Sequence, residues 1–150
     1  RRFQMKALKK LTSAEELFEH SKDWALLILR IIPSFYLFFY HGMRKITAGT
    51  ESWEWLGKAA MTLFGINFGY VLFGFLAAFS EGILTWLVSL GVCTRVSSLF
   101  IMITMFFAGA YHLADGESPE SPFIYFTVYL VLFLLGPGKF SLDRRLFNNG

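Results

Sequence analysis

The chain is poor in charge and almost without cysteine. Only 17 % of its 150 residues are Asp, Glu, Lys or Arg, against about 25 % in an ordinary soluble domain. The single Cys93 excludes an intrachain disulfide, a CxxC redox pair and a cysteine-rich metal site, and at a helix end it is expected to serve packing. The sequence has no dinucleotide fingerprint and no dedicated metal motif, so neither a metal nor a covalently bound cofactor is expected, and electrons would have to come from a partner protein. No repeat and no low-complexity tract divides the chain, which predicts one domain over 1–150. The sequence begins at Arg1 rather than Met and is expected to lack some native residues.

What is present is apolar. Hydrophobic residues make up 55 % of the chain, with 18 phenylalanines, and the mean hydropathy is +0.49. Charge nearly vanishes from four runs: Trp24 to Tyr40, Phe68 to Leu90, Val96 to Leu113 and Pro122 to Leu135. A bilayer core takes about 20 predominantly apolar helical residues to cross. The first run reaches that length by continuing through His41 and Gly42, and the fourth by starting near Ser118. Unpaired backbone groups are costly in lipid, so spanning segments are helices or closed barrels, and these runs lack the alternation of barrel strands. The expected fold is an all-α integral membrane protein, a four-transmembrane-helix bundle with spans at about 24–42, 68–90, 96–113 and 118–135.

Orientation follows from Lys and Arg. Ten of them fall in the amino-terminal lead, the connection between the second and third spans, and the carboxyl tail, whereas Arg44, Lys45 and Lys58 alone fall in the other loops. The positive-inside rule then puts both termini in the cytoplasm and the two intervening loops outside. Tyr40, Tyr70, Tyr111 and Tyr125 form an outer aromatic belt, and Trp24 and Trp86 lie toward the inner face. The +3 net charge is a topology signal on this reading, and nucleic acid is not expected as a partner.

Residues 1–23 are too charged for a signal peptide and are expected to form an amphipathic helix on the cytoplasmic surface, anchored by Leu8, Leu11 and Phe18, with Ser13 and Glu16 at the spacing of a capping box. Residues 136–150 form a cytoplasmic tail. In the first outer loop, Trp53, Trp55, Leu56, Ala59, Ala60 and Leu63 predict a short interfacial helix capping the bundle. Gly74, Ala78 and Gly82 recur every four residues and mark a close-packing seam. Ser97, Ser98, Ile101, Thr104 and Ala108 give the third span a comparable small face, and Pro33 is expected to kink the first.

The polar residues tolerated inside the membrane are the candidates for chemistry. Arg30 and Glu81 are the two charges deep within spans, each costing on the order of 3 kcal/mol to insert unless paired or wet. Arg30 is about 9 Å above Trp24 and Glu81 about 14 Å above Leu90 at 1.5 Å per residue, a difference that an arginine side chain can bridge. The pair reads either as a structural ion pair fixing helix register or as a proton-handling carboxylate beside a ligand pocket. A second group gathers at the outer face: His41, Arg44 and Lys45 after the first span, His112, Asp115 and Glu117 after the third. Two level histidines suit proton exchange with a bound ligand. They read equally as ordinary helix-end residues. A haem ligated by both is the sharper and less favoured alternative. His20 is expected to be solvated.

Several motifs resemble the DoxX family of small bacterial membrane proteins. They are His41-Gly42-Met43-Arg44-Lys45, Glu81-Gly82 followed by Gly91-Val92-Cys93-Thr94-Arg95, His112-Leu113-Ala114-Asp115-Gly116, and Gly136-Pro137-Gly138-Lys139-Phe140-Ser141-Leu142-Asp143. The likeness covers roughly Leu26 to Asp143 and lies in the order and spacing of the motifs. It implies a four-helix membrane bundle in the bacterial inner membrane with both termini inside. It marks His41, Lys45, Glu81, Arg95, His112 and Asp115 as candidate positions, without a catalytic role to transfer. Some relatives are membrane subunits of thiosulfate:quinone oxidoreductases, and others accompany redox or oxidative-stress complexes.

Two functions of different class follow. In one, the chain is a subunit of a quinone-linked redox complex, with Glu81, His41 and His112 exchanging protons and Lys45, Asp115, Arg30 and Arg95 binding ligand. In the other, it is a non-catalytic scaffold or accessory subunit among other membrane proteins. Both place it in the lipid bilayer beside partner subunits, and whether it is itself an enzyme is left open by either.

Overall fold

A computed structural model describes residues 21–147. The expectations for the amino-terminal lead, with Ser13, Glu16 and His20, lie outside the described residues. Among these residues the secondary structure is entirely helical.

Helix α1 runs Ser21–Thr47 and α3 runs Tyr70–Leu90, while α4 spans Thr94–Ala114. All three are long and apolar enough to cross a membrane. Between α1 and α3 lies α2, Thr50–Met61. The fourth apolar helix, α5, covers Glu120–Leu135 in 16 residues, about 24 Å at 1.5 Å per residue. A short α6, Leu142–Phe147, follows in the tail.

Helix α1 outruns its expected end by five residues, continuing through Arg44 and Lys45. The reason is that Lys45 turns back into the protein to meet a carboxylate, so its charge does not stop the helix. Helical conformation passes through Pro33, and the change in hydrogen-bond register comes later, in a π-turn at Phe38–Gly42. Helix α3 contains a second π-turn at Ser80–Leu84. Such turns insert a residue into the helical ladder and recur at functional sites. The start of α5 falls at Glu120 rather than near Ser118, with Pro119 immediately before it, because a residue preceding proline is disfavoured in helical conformation.

The core is a seam of Leu26 and Leu37 from α1, Leu84 and Val88 from α3, Ile101 and Met105 from α4, and Tyr129 and Leu132 from α5. Burial of the Tyr129 hydroxyl is compensated by Ser34 at 2.8 Å, a hydrogen bond joining α5 to α1. The small-residue seam of α3 does bring backbones together. A Cβ on Gly74 would collide with the Trp53 carbonyl oxygen, and one on Gly57 with that of Tyr70. Helix α2 therefore lies along the first half of α3 and packs on it extensively. The fully buried Ala78 continues the seam, and Gly82 faces Ile46 of α1.

At the other end of the bundle the tail folds back. Gly136 and Gly138 adopt positive φ values of 81° and 75°, which turn the chain after α5. The Lys139 amide then donates to the Asp23 carboxylate at 2.8 Å. Asp143 accepts from the amides of Cys93 (2.8 Å) and Thr94 (3.0 Å) and from the Thr94 hydroxyl (3.2 Å), so a carboxylate caps the start of α4. Its own amide donates to the Gly91 carbonyl at 2.8 Å. Cys93 is exposed and sits in left-handed backbone (φ 47°) within this capped turn, not in the packing role expected of it.

Candidate functional site

The two π-turns face each other. Gly42, in the first, lies so close to the second that a Cβ there would strike the Glu81 carbonyl oxygen. This contact brings the last turns of α1 level with the middle of α3. Glu81 is 1 % exposed, and both of its carboxylate oxygens accept from the Lys45 ammonium, at 2.6 and 2.7 Å. Lys45 is fixed in turn through its carbonyl, which accepts from the Trp53 indole of α2 at 2.8 Å. One ion pair and one indole thus tie α1, α2 and α3 together.

The expected Arg30–Glu81 pair does not form. Arg30 lies at the tail end of the bundle, buried at 1 % exposure, and its Nη2 donates to the Phe140 carbonyl at 3.0 Å. Its Nη1 lies where a Cβ on Gly91 would be, and neither Nη1 nor Nε has a hydrogen-bond partner among the described residues. Depth counted along each helix failed for two reasons. Helix α1 starts beyond Trp24, and the returning tail adds a layer that buries Arg30 near the α3–α4 turn.

Beside the ion pair is a cavity of about 500 Å³, within the range of about 300–1,000 Å³ usual for small-molecule sites. Its polar groups are His41, Lys45, Ser80, Glu81, Thr104, Tyr111 and His112. The rest of the wall is apolar, with Trp55 and Leu56 from α2, Phe73 and Leu76 from α3, and Phe100, Ile103 and Phe107 from α4 among its members. The groups that the sequence divided into a mid-membrane charge and an outer cluster are therefore one site.

His41 is not a helix-end residue; it stands within the first π-turn, 6.5 Å from the Tyr125 ring. His112 also lines the cavity, with its Nδ1 against the Glu117 carboxylate. Asp115 is exposed in a separate shallow depression with Trp55, Lys58 and Tyr111. Arg95 is exposed at the opposite end, beside Gly136. So His41, Lys45, Glu81 and His112 converge, and Arg30, Arg95 and Asp115 do not.

Two residues that the sequence reading did not place at the site belong to it: Ser80, which it passed over, and Trp53, which it assigned only to the interfacial helix. Ser80 is buried against it, its hydroxyl donating to the Leu76 carbonyl at 2.7 Å, and Trp53 anchors Lys45 from behind. The Ser80-Glu81-Gly82 triplet in an otherwise apolar helix was the available signal for the first. Among the described residues no three His, Cys, Asp or Glu side chains gather as ligands for a metal ion. Chemically, the site offers hydrogen-bond donors and a carboxylate at one end of an apolar chamber.

A protein-family model described as DoxX matches residues 25–113. No curated protein and no solved structure matches the chain.

Proposed function

The chain belongs to the DoxX family, and on that premise we propose that this multi-pass membrane protein is the quinone-reactive subunit of a redox complex. The observation that carries this reading is the cavity itself: the Lys45–Glu81 pair, His41 and His112 bordering aromatic and aliphatic walls. A quinone is a flat apolar ring with two carbonyl acceptors. Lys45 and a histidine N–H supply donors for such oxygens, and the walls take the ring face. Reduction of a quinone to its quinol consumes two electrons and two protons. In this proposal the electrons come from a partner protein of the thiosulfate:quinone oxidoreductase type, and Glu81, His41 and His112 pass the protons.

The test is the native complex purified in mild detergent. Quinone should be extractable from it, and His41→Ala and His112→Ala should assemble normally yet lose quinone reduction. A second reading, that of a non-catalytic scaffold, is favoured by the same ion pair, which bolts α1 to α3. Full turnover in both variants would establish the scaffold reading.

The proposal includes a topology. α5, although short, is the fourth span; both termini are cytoplasmic, and the membrane is the bacterial inner membrane. Its support is the ten-to-three distribution of basic residues. Reporter fusions after Asn149 and within Glu51 to Lys58 should report opposite compartments. The same compartment for both would contradict the four-span arrangement.

A further inference from the structure

The cavity is closed unevenly. On the α2 side, aromatic contacts bridge to α4: Trp55 of α2 meets Tyr111 at 6.2 Å, and Phe64, in the short 3-10 turn Thr62–Phe64 that follows α2, meets Phe107 at 5.0 Å. Between α3 and α4 there is no such bridge. The first half of α3 is packed on α2 through Gly57 and Gly74, and α4 is packed on α5 through Gly109 and Phe123. Helices α3 and α4 come together from the π-turn at Ser80–Leu84 onward, toward the tail end. The first half of α3 touches α4 little, and between the two helices Leu76 of α3 and Phe100 and Ile103 of α4 line the cavity.

These three side chains line the cavity and yet are 36 %, 43 % and 44 % exposed. They lie within helices long and apolar enough to cross a membrane, so whatever part of their exposed surface faces away from the cavity faces hydrocarbon. The ion pair lies deeper in the same space. Along a single path the chemistry thus passes from lipid, through an apolar slot, to a buried carboxylate and its half-buried ammonium partner.

We propose that the ligand enters sideways from the bilayer through the Leu76–Phe100–Ile103 slot and is a single-tailed, membrane-dissolved amphiphile. Its polar head reaches Lys45, Glu81 and His41, and its tail stays in the slot in contact with lipid. A ligand of this class never leaves an apolar phase with its tail, whereas a soluble molecule arriving from water would have to part the aromatic contacts of α2 with α4. Leu76, Phe100 and Ile103 are then the residues that set specificity for the tail. The inference rests on the cavity being the ligand site and adds its route and ligand class.

The test uses the full chain in liposomes and three probes: decylubiquinone, its tailless analogue ubiquinone-0, and 4-decylphenol, which has the tail without the quinone head. The plugging variant is Leu76→Trp/Ile103→Trp, with Phe100→Trp as a single change at a lipid-facing position that tolerates bulk. Equilibrium binding of decylubiquinone should weaken at least tenfold in the plugged protein, with ubiquinone-0 changed less than twofold. Equal binding of decylubiquinone by wild type and both variants would overturn the lateral route and leave the quinone reading standing. If decylphenol binds as tightly as decylubiquinone and is equally sensitive to the plug, the route stands and the quinone reading falls. Failure of the wild type to take up either decyl probe would overturn both.

Discussion

The two ends of the helical bundle handle polar groups in opposite ways. At the tail end, polar side chains are spent on backbone. Asp143 caps the start of α4, Asp23 receives the Lys139 amide, and Arg30 reaches the Phe140 carbonyl. The Gly91–Arg95 and Gly136–Asp143 motifs are each other's partners there, because the Asp143 amide and carboxylate bond to Gly91, Cys93 and Thr94. At the α2 end, side chains meet side chains. Lys45 pairs with Glu81 and His112 with Glu117, beside a cavity of about 500 Å³ that the protein leaves unfilled. Groups that satisfy turns and helix ends are accounted for by folding alone. An ion pair with a buried carboxylate facing a chamber is not, since an apolar pair of similar volume would often serve stability as well or better.

That contrast can be broken most severely at Lys45. Lys45→Met leaves the Glu81 carboxylate buried without its partner, which should cost about 3–5 kcal/mol. The double variant Lys45→Met/Glu81→Leu should recover most of that loss, because no buried charge remains. Thermal melts in detergent measure both. A double variant as unstable as the single one would make the ion pair a folding element like those of the tail end.

A smaller effect is expected from Asp143→Asn. The amide side chain keeps one acceptor oxygen but loses the charge that strengthens three hydrogen bonds, for a cost of about 2 kcal/mol. Decylubiquinone binding at the other end should be unchanged. Altered binding would mean that the two ends are coupled.

The smallest effect belongs to Arg30→Met. Among the described residues two of the three guanidinium nitrogens have no hydrogen-bond partner, so exchanging the side chain for an apolar one of similar length should cost no more than about 1 kcal/mol, near the net value of the one hydrogen bond lost. A loss as large as that of Lys45→Met would show that Arg30 holds an interaction beyond the Phe140 carbonyl.

The sequence made the apolar helices legible because lipid demands long uncharged runs, and three of them stand in the structure at membrane-spanning length. The short helix expected from Trp53 to Leu63 was legible from its aromatic and small residues; it stands at Thr50–Met61, with Leu63 in the 3-10 turn that follows. The site was legible only in its components. His41, Lys45, Glu81 and His112 were each singled out, but they were assigned to two depths, because counting 1.5 Å per residue presumes regular helices that start at a common level. Two π-turns and a longer α1 break that presumption. Lys45 was read as a loop cation, although a lysine one turn beyond a span can fold back to a buried acid. Arg30 was paired with the wrong partner because the tail was read only as a cytoplasmic segment, whereas Gly136 and Gly138 turn it onto the bundle, where the Phe140 carbonyl meets Arg30. No periodicity in the apolar pattern records that return.

The central claim, that ligand chemistry belongs to the α2 end, is tested most directly by an experimental structure of the protein with decylubiquinone bound. The account predicts the quinone ring in the cavity, with a carbonyl oxygen within hydrogen-bond distance of Lys45 or His41 and the tail passing between Leu76 and Ile103. A ring lodged beside Arg30 and Asp143, with the cavity unchanged, would contradict it.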